Sequence, residues 1–286
     1  MRPSSIGREV TTYDCFMFYN EYEFDLLEMR MSILDEKVDK FLIVQANRTF
    51  SGAPKSYVTF EDTRFARFKN KIITANVDGT NWKEDIEPFE FWLRDRTKDA
   101  LEQCGIKDSD LVILSDLDEI PNPATQLYSP MLDIPVTLPL KFYCYYINCQ
   151  VFVKEGPPYR WSRTKKFRFG SLKSMDEATK HLPKEVLCPE LGPIDGFSRL
   201  RHTDFPIEPS AWGWHFSSLG GADRIHQKYL TGGNQSVDME YIREHMRTLK
   251  VFDDEDGRRM RFVEIDNSYP KYILDNIDRL GMFIGP

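Results

Sequence analysis

Asp110-Leu111-Val112-Ile113-Leu114-Ser115-Asp116-Leu117-Asp118-Glu119-Ile120-Pro121 decides how the rest of the chain is read. Its unbroken run of branched apolar residues predicts a buried strand, which stops abruptly in three carboxylates and a proline that ends ladder pairing. The acids therefore stand at a strand's carboxyl end. In an open α/β sheet that edge is where ligands bind, because loops converge there while the buried strand holds them rigid. Asp116 and Asp118, two apart across a tight turn, can offer oxygen ligands to a hard cation such as Mg2+ or Mn2+. The same letters also suit an ordinary Asx-rich surface turn, so the reading depends on partners found elsewhere.

Toward the amino terminus the pattern supports such a sheet. Tyr13 to Phe18 is aromatic and apolar and predicts a first strand, and Phe24, Leu27, Met31 and Leu34 fall at helical spacing. Phe41 to Val44 predicts a second buried strand ending in the polar cluster Gln45-Ala46-Asn47-Arg48-Thr49, and Lys71 to Val77 predicts a third. Pro88 opens a helix whose apolar face is Phe89, Trp92, Leu93, Ala100, Leu101 and Cys104, with Arg94, Asp95 and Arg96 on its other side and Gly105 as its cap. The order β-α-β-β-α-β with short loops implies a mostly parallel sheet covered by helices. Gln45 and Asn47 then lie on the same sheet edge as the acids.

Composition bounds what such a sheet can serve. With 286 residues, 41% of them apolar and 29% charged, the chain describes a globular protein with a full core. A net charge of -7 disfavours nucleic acid and anionic membranes as partners. No window approaches the ~18 apolar residues of a membrane span, and the first ten residues lack a signal-peptide core, so the expectation is a cytoplasmic protein. The five cysteines show no C-x-x-C spacing and suggest reduced thiols.

Past Pro121 the pattern changes. Leu138 to Asn148, Val151 to Val153 and Lys166 to Phe169 predict antiparallel additions to the sheet, while Met175 to Pro209 has no period and reads as loop. Within Tyr159 to Lys166 the basic-aromatic run is best explained as a solvated strand edge. Trp212-Gly213-Trp214-His215-Phe216-Ser217 breaks the polar run, and Gly220-Gly221 can start a helix carrying Arg224 and Lys228, where free N–H groups favour a diphosphate. Met239, Ile242, Met246 and Leu249 predict one further helix, and Pro270 to Leu280 a closing one.

Several side chains could complete a site with the acids, each beside a plainer role. His215 can be a third metal ligand or a core histidine between tryptophans; Gly220 and Gly221 can cradle phosphate or simply begin a helix. Arg94 can neutralise phosphate or be a solvated helical arginine, and Trp212 and Trp214 can form a sugar platform or be core. No nucleophile elbow, Walker loop or Cys/His nucleophile arrangement is present, so covalent catalysis is unsupported.

Three ordered stretches resemble glycosyltransferase family 17: Tyr13-Asp14-x-Phe16-x-Phe18-x-Asn20-Glu21 with Asp25-Leu26-Leu27-Glu28-x-Arg30, then Asp116-x-Asp118-Glu119-Ile120-Pro121, then Gly213-Trp214-His215-Phe216-Ser217. The resemblance runs from about Tyr13 to Leu280. It implies one GT-A-like domain over 1–286, with a nucleotide-sugar half at 11–121 and an acceptor-side half at 122–286. It implies also a UDP-sugar donor, with UDP-N-acetylglucosamine expected, a glycan acceptor, a divalent metal, and inversion at the anomeric carbon. On that basis Asp116 is similar to the family's nucleotide and metal residue, Asp118 sits directly on the cation, and His215 is the third metal position. Gln45 departs from the pattern, standing where many relatives carry a glutamate, which bears on donor specificity.

The metal and the Gly220-Gly221 helix start would offset charge building on a departing UDP, which needs no acid to leave. A carboxylate must then take the proton of the acceptor hydroxyl. Asp204, Glu208, Asp176 and Asp195 precede the tryptophan motif, and Asp204 or Glu208 is the expected base. Two other readings share these residues: a metal-dependent sugar nucleotidyltransferase, although a Gly- and Lys-rich triphosphate loop is missing, and a carbohydrate-binding protein without turnover.

Overall fold

The computed structural model describes residues 10–83, 87–125, 134–174, 196–209, 212–231, 237–250 and 257–286. The predicted first half is there. Strand β1 (Thr12–Met17) is followed by helix α1 (Phe24–Leu34), β2 (Lys40–Ala46), β3 (Ile72–Val77), α2 (Phe89–Gln103) and β4 (Leu111–Leu114). These four strands pair in parallel in the order β3-β2-β1-β4. The period-2 alternation of each strand sends its side chains to two separate cores. Phe16, Phe41, Ile43 and Ile113 meet α1, whereas Cys15, Leu42, Val44, Val112 and Leu114 meet α2.

Beyond Pro121 the sheet continues as β6 (Val136–Cys144), β7 (Cys149–Phe152), β8 (Arg160–Arg168) and β10 (Arg259–Phe262), paired antiparallel along the path β10-β7-β6-β8-β4. Two short strands lie off that path. β5 (Glu119–Ile120) pairs antiparallel with β9 (Gly213–Ser217), and β9 pairs parallel with β6. The fold is therefore α/β, with a mixed sheet flanked by helices, parallel over β4-β1-β2-β3 and mainly antiparallel beyond β4. A third core closes over β6 and β7 through Ile225 of α4 (Gly221–Thr231), Ile242 of α5 (Met239–Thr248) and Met260 of β10.

Three expectations change. The basic-aromatic run is not a solvated edge: β8 lies between β4 and β6, and Lys165 and Lys166 are fully buried. Burial is tolerated because each ammonium has partners, Lys165 Nζ on Thr137 Oγ1 at 3.0 Å and the Ser162 carbonyl at 2.8 Å, and Lys166 Nζ on Glu208 at 3.5 Å. The stretch read as loop holds a short helix, α3 (Phe197–His202), docked by Phe197 and Leu200 into the α2-side core. The acids do not end pairing either, since Glu119 and Ile120 resume it with His215 and Trp214, and the strand stops before Pro121.

Helix α6 (Lys271–Asp275) closes the described chain against α1. Among the described residues no helix is long and apolar enough to cross a membrane. Cys15, Cys104, Cys144 and Cys149 are free thiols, and Cys188 lies outside the described residues.

Candidate functional site

The turn after β4 is fixed by a buried arginine on α1. Arg30 grips Asp14 of β1 with two hydrogen bonds, 2.8 Å from Nε and 2.6 Å from Nη2. Its Nη1 donates to the carbonyls of Asp116, Leu117 and Glu119 at 2.8, 3.1 and 2.7 Å, and Nη2 reaches Ser115 Oγ at 2.6 Å. A lone carboxylate at this depth would be costly, and so would three carbonyls without donors. Asp14 and Arg30 answer each other and together set the path of residues 115–119. The first and second family-like stretches are therefore in direct contact.

A second guanidinium closes the turn from the far half of the chain. Arg201 of α3 meets Glu119 at 2.6 and 2.7 Å and Asp116 Oδ2 at 2.5 Å. Glu119 is fully buried and also accepts from Trp161 Nε1 and from Thr164 Oγ1 at 3.0 Å. Burial opposes its charge, but Arg201 overcomes this and brings the carboxyl down to about 2. Arg94 takes the other oxygen of Asp116 at 3.0 Å while holding Glu90 at 2.6 Å. Arg94 is not a solvated helical arginine: its guanidinium is buried, drawn in by Asp116.

Asp118 faces a different set. Its Oδ2 is 3.2 Å from Lys228 Nζ on α4, and its Oδ1 is 3.5 Å from His215 Nε2. Burial pushes its carboxyl up, yet Lys228 and His215 prevail and hold it well below the ordinary range. His215 comes to this place because β9 pairs with β5, which puts it opposite Glu119, while the Phe216 N–H donates to the Asp118 carbonyl at 2.8 Å. Its ring stacks on Phe142 at 4.8 Å and leans on Trp161 at 4.4 Å. Gly213 makes the pairing possible, since a Cβ there would stand 2.3 Å from the Ile120 carbonyl oxygen.

A cleft of about 360 Å³ opens at this carboxyl edge. Asp116, Asp118 and Lys228 lie in its wall with Tyr19, Tyr22, Glu23 and Ser218. Glu23 belongs to a capping box with Asn20 on the single 3-10 turn Glu21–Glu23 that leads into α1, and it accepts from the Tyr19 N–H at 2.8 Å. Burial pushes its carboxyl up to about 7, against the pull of that N–H and of Lys228. The cleft thus combines an ammonium, an ionised aspartate, and a glutamate that titrates near neutrality.

The other expected residues lie apart from the cleft wall. Gln45 is buried with its amide fully engaged: Nε2 donates to the Val58 carbonyl at 2.9 Å and Asn76 Oδ1 at 3.0 Å, and Oε1 accepts from Val58 N–H at 2.8 Å. Asn47 ties Asp78 and the Gly79 N–H into a loop. Gly220 and Gly221 have φ of +101° and +84°, a left-handed turn into α4 that side chains resist, but neither lines the cleft. Glu208 pairs with Lys166, and Asp204 is exposed; neither reaches the cleft wall. Asp176 and Asp195 lie outside the described residues.

Among the described residues no three His, Cys, Asp or Glu side chains are grouped to hold a metal. Asp116 lines the cleft too, but each of its oxygens is already held by an arginine, Arg94 at 3.0 Å and Arg201 at 2.5 Å. Mg2+-like ions, however, are often held by one or two carboxylates with the rest of their shell supplied by water and substrate phosphate. Asp118 fits that share, with His215 beside it. The His215 Nδ1 is buried without a hydrogen-bond partner, lacking the support that usually orients a ligating imidazole, so Asp118 is the better-founded ligand.

Sequence reasoning missed Arg201, Trp161 and Glu23 as parts of the site and gave Glu119 no role beyond its place among the acids. Arg201 sits in a six-residue helix inside a stretch with no period, and only its contact with acids 82 and 85 positions away reveals it. Glu23 had a signal, since Asn20-x-x-Glu23 is a capping box.

The chain is 24% identical over 301 residues to the human beta-1,4-mannosyl-glycoprotein 4-beta-N-acetylglucosaminyltransferase, covering 90% of this chain and 52% of that protein. The rat and mouse proteins of that name match to the same extent, so the chain spans about half the length of the curated relatives it matches. The model of glycosyltransferase family 17 matches residues 4–165, which hold Asp14, Arg30 and the whole acid turn. With more than half of its length inside that match, this chain belongs to glycosyltransferase family 17.

Proposed function

We propose that the protein moves a sugar, N-acetylglucosamine from UDP-N-acetylglucosamine, onto a hydroxyl of a glycan acceptor, with inversion at the anomeric carbon and a GT-A type of donor site. The observation that carries the reading is the Asp118-Lys228 pair in the wall of a cleft at the carboxyl edge of the parallel strands. The names of the relatives support the donor sugar and a mannose-bearing acceptor.

Asp118, with His215 beside it, would hold a divalent ion, which when bound supplies positive charge to the donor diphosphate. Lys228 stands on the same carboxylate and can turn its ammonium to the phosphate oxygens, offsetting charge on the leaving UDP. Arg94 and Arg201 keep Asp116 ionised and fixed, so its role is to shape the turn and meet the nucleotide end of the donor. The proton acceptor is sought among Glu23, Glu208 and Asp204. Of these Glu23 is the one in the cleft wall, and a carboxyl near 7 matches the working range of a general base.

The test is thermal stability and UDP release with Mn2+ and a panel of sugar nucleotides, wild type against Asp118→Asn. A ligand at a hundred times its dissociation constant adds about 2.7 kcal/mol of stability, so the wild type should shift by several degrees with UDP-N-acetylglucosamine and the variant should not. If no sugar nucleotide stabilises the wild type more than the variant, the transferase reading fails.

A further inference from the structure

A second depression, an open groove of about 610 Å³, lies at the opposite end of the paired strands β5 and β9 from the cleft. Its wall includes Trp212, Trp214, Tyr269, Asn122, Lys141 and Lys271. Strand β9 runs between the two depressions: Trp212 and Trp214 face the groove, and Ser217 is in the cleft. The turn after β4 does the same, with Asp116 to Asp118 in the cleft and Asn122 to Ala124 in the groove. At roughly 3.3 Å per strand residue, Trp212 and Ser217 are about 17 Å apart.

Trp212 is half-exposed, and Asn122 holds its backbone in place by donating from Nδ2 to the Trp212 carbonyl at 3.1 Å. Trp214 is buried beneath, and its indole Nε1 has no hydrogen-bond partner. The groove's charges are already answered: Lys271 is paired with Asp275 at 2.6 Å, and Lys141 lies within electrostatic reach of Asp266. An aromatic face with amide neighbours and no surplus charge suits a neutral, hydroxyl-rich ring with one apolar side, and offers little to a polyanion.

We propose that this groove is the seat of a neutral pyranose from a branch of the acceptor oligosaccharide, lying on Trp212, while another part of the same oligosaccharide enters the cleft. The inference rests on the transferase reading for its second half only. It follows that the acceptor is a branched or extended oligosaccharide, because a single sugar cannot reach both depressions.

Binding of a free mannose-containing N-glycan oligosaccharide is titrated calorimetrically against the wild type, Trp212→Ala and Trp212→Phe, with the UDP-sugar thermal shift measured on each. Trp212→Ala should weaken the oligosaccharide about tenfold, equivalent to about 1.4 kcal/mol, and Trp212→Phe, which keeps a ring, should recover most of it. The UDP-sugar shift should be the same in all three. Equal oligosaccharide affinity in all three, no binding to the wild type, or equally tight binding of a sugar-free peptide overturns the proposal. Should Trp212→Ala be silent while UDP-sugars still stabilise the protein, the groove falls and the transferase reading stands. Should binding depend on Trp212 with no UDP-sugar effect, the groove stands and the transferase reading falls.

Discussion

Arg30 shows how a single side chain can serve both the fold and the site. It is fully buried, it neutralises Asp14, and it supplies the donors for three carbonyls of the acid turn. Replacing it by methionine strands a buried carboxylate, a change that costs about 3–5 kcal/mol in comparable pairs. Urea unfolding of Arg30→Met should show that loss, and Asp14→Leu/Arg30→Met should regain a large part of it. Glu23 carries a different expectation. Its carboxyl is raised to about 7 in the folded chain from an ordinary 4.5, so the native state holds the extra proton between those values. Stability therefore falls as pH rises from 4.5 through 7, and Glu23→Gln should remove that fall when melting is followed from pH 5 to 8. The Asp14–Arg30 pair could not be read from the letters, because the two are adjacent only once β1 and α1 are packed.

Among the elements, β9 and β8 determine whether the acid turn has partners. Gly213 lies so close to the Ile120 carbonyl that even a methyl group forces the β5–β9 pairing apart. Gly213→Ala should cost about 1–3 kcal/mol and weaken donor binding, through displacement of His215 from Asp118, as read by urea midpoints and the UDP-sugar shift. β8 was misread because its alternating charges look like a water-facing edge, whereas pairing on both sides turns Lys165 and Lys166 inward. Burial, with Arg201 and Arg163 nearby, brings the Lys165 ammonium down to about 7 from 10.5. Between these values the unfolded chain binds the extra proton, so stability rises with pH over that range; Lys165→Met should flatten the rise between pH 7 and 10. The parallel half, by contrast, was legible, since each of its strands is an apolar run ended by a turn signal and each helix has a clear face.

At the level of the whole molecule, the family-matched residues 4–165 contain the acids but not everything that holds them. Arg201, His215 and Lys228 come from later in the chain and reach the turn across 82 to 110 positions. Short-range pattern therefore exposed Asp116 and Asp118 and put Lys228 on a plausible helix, but could not say that the first acid is held by two arginines and the second by Lys228 and His215. This division has a consequence for how the protein is made. As the chain leaves the ribosome, β1 to β4 can pair while Glu119 still lacks Trp161, Thr164 and Arg201, and Asp118 still lacks Lys228. The strand that bears the acids should form early and the binding cleft late, so a nascent chain stalled before residue 200 would hold most of its parallel sheet and no affinity for donor.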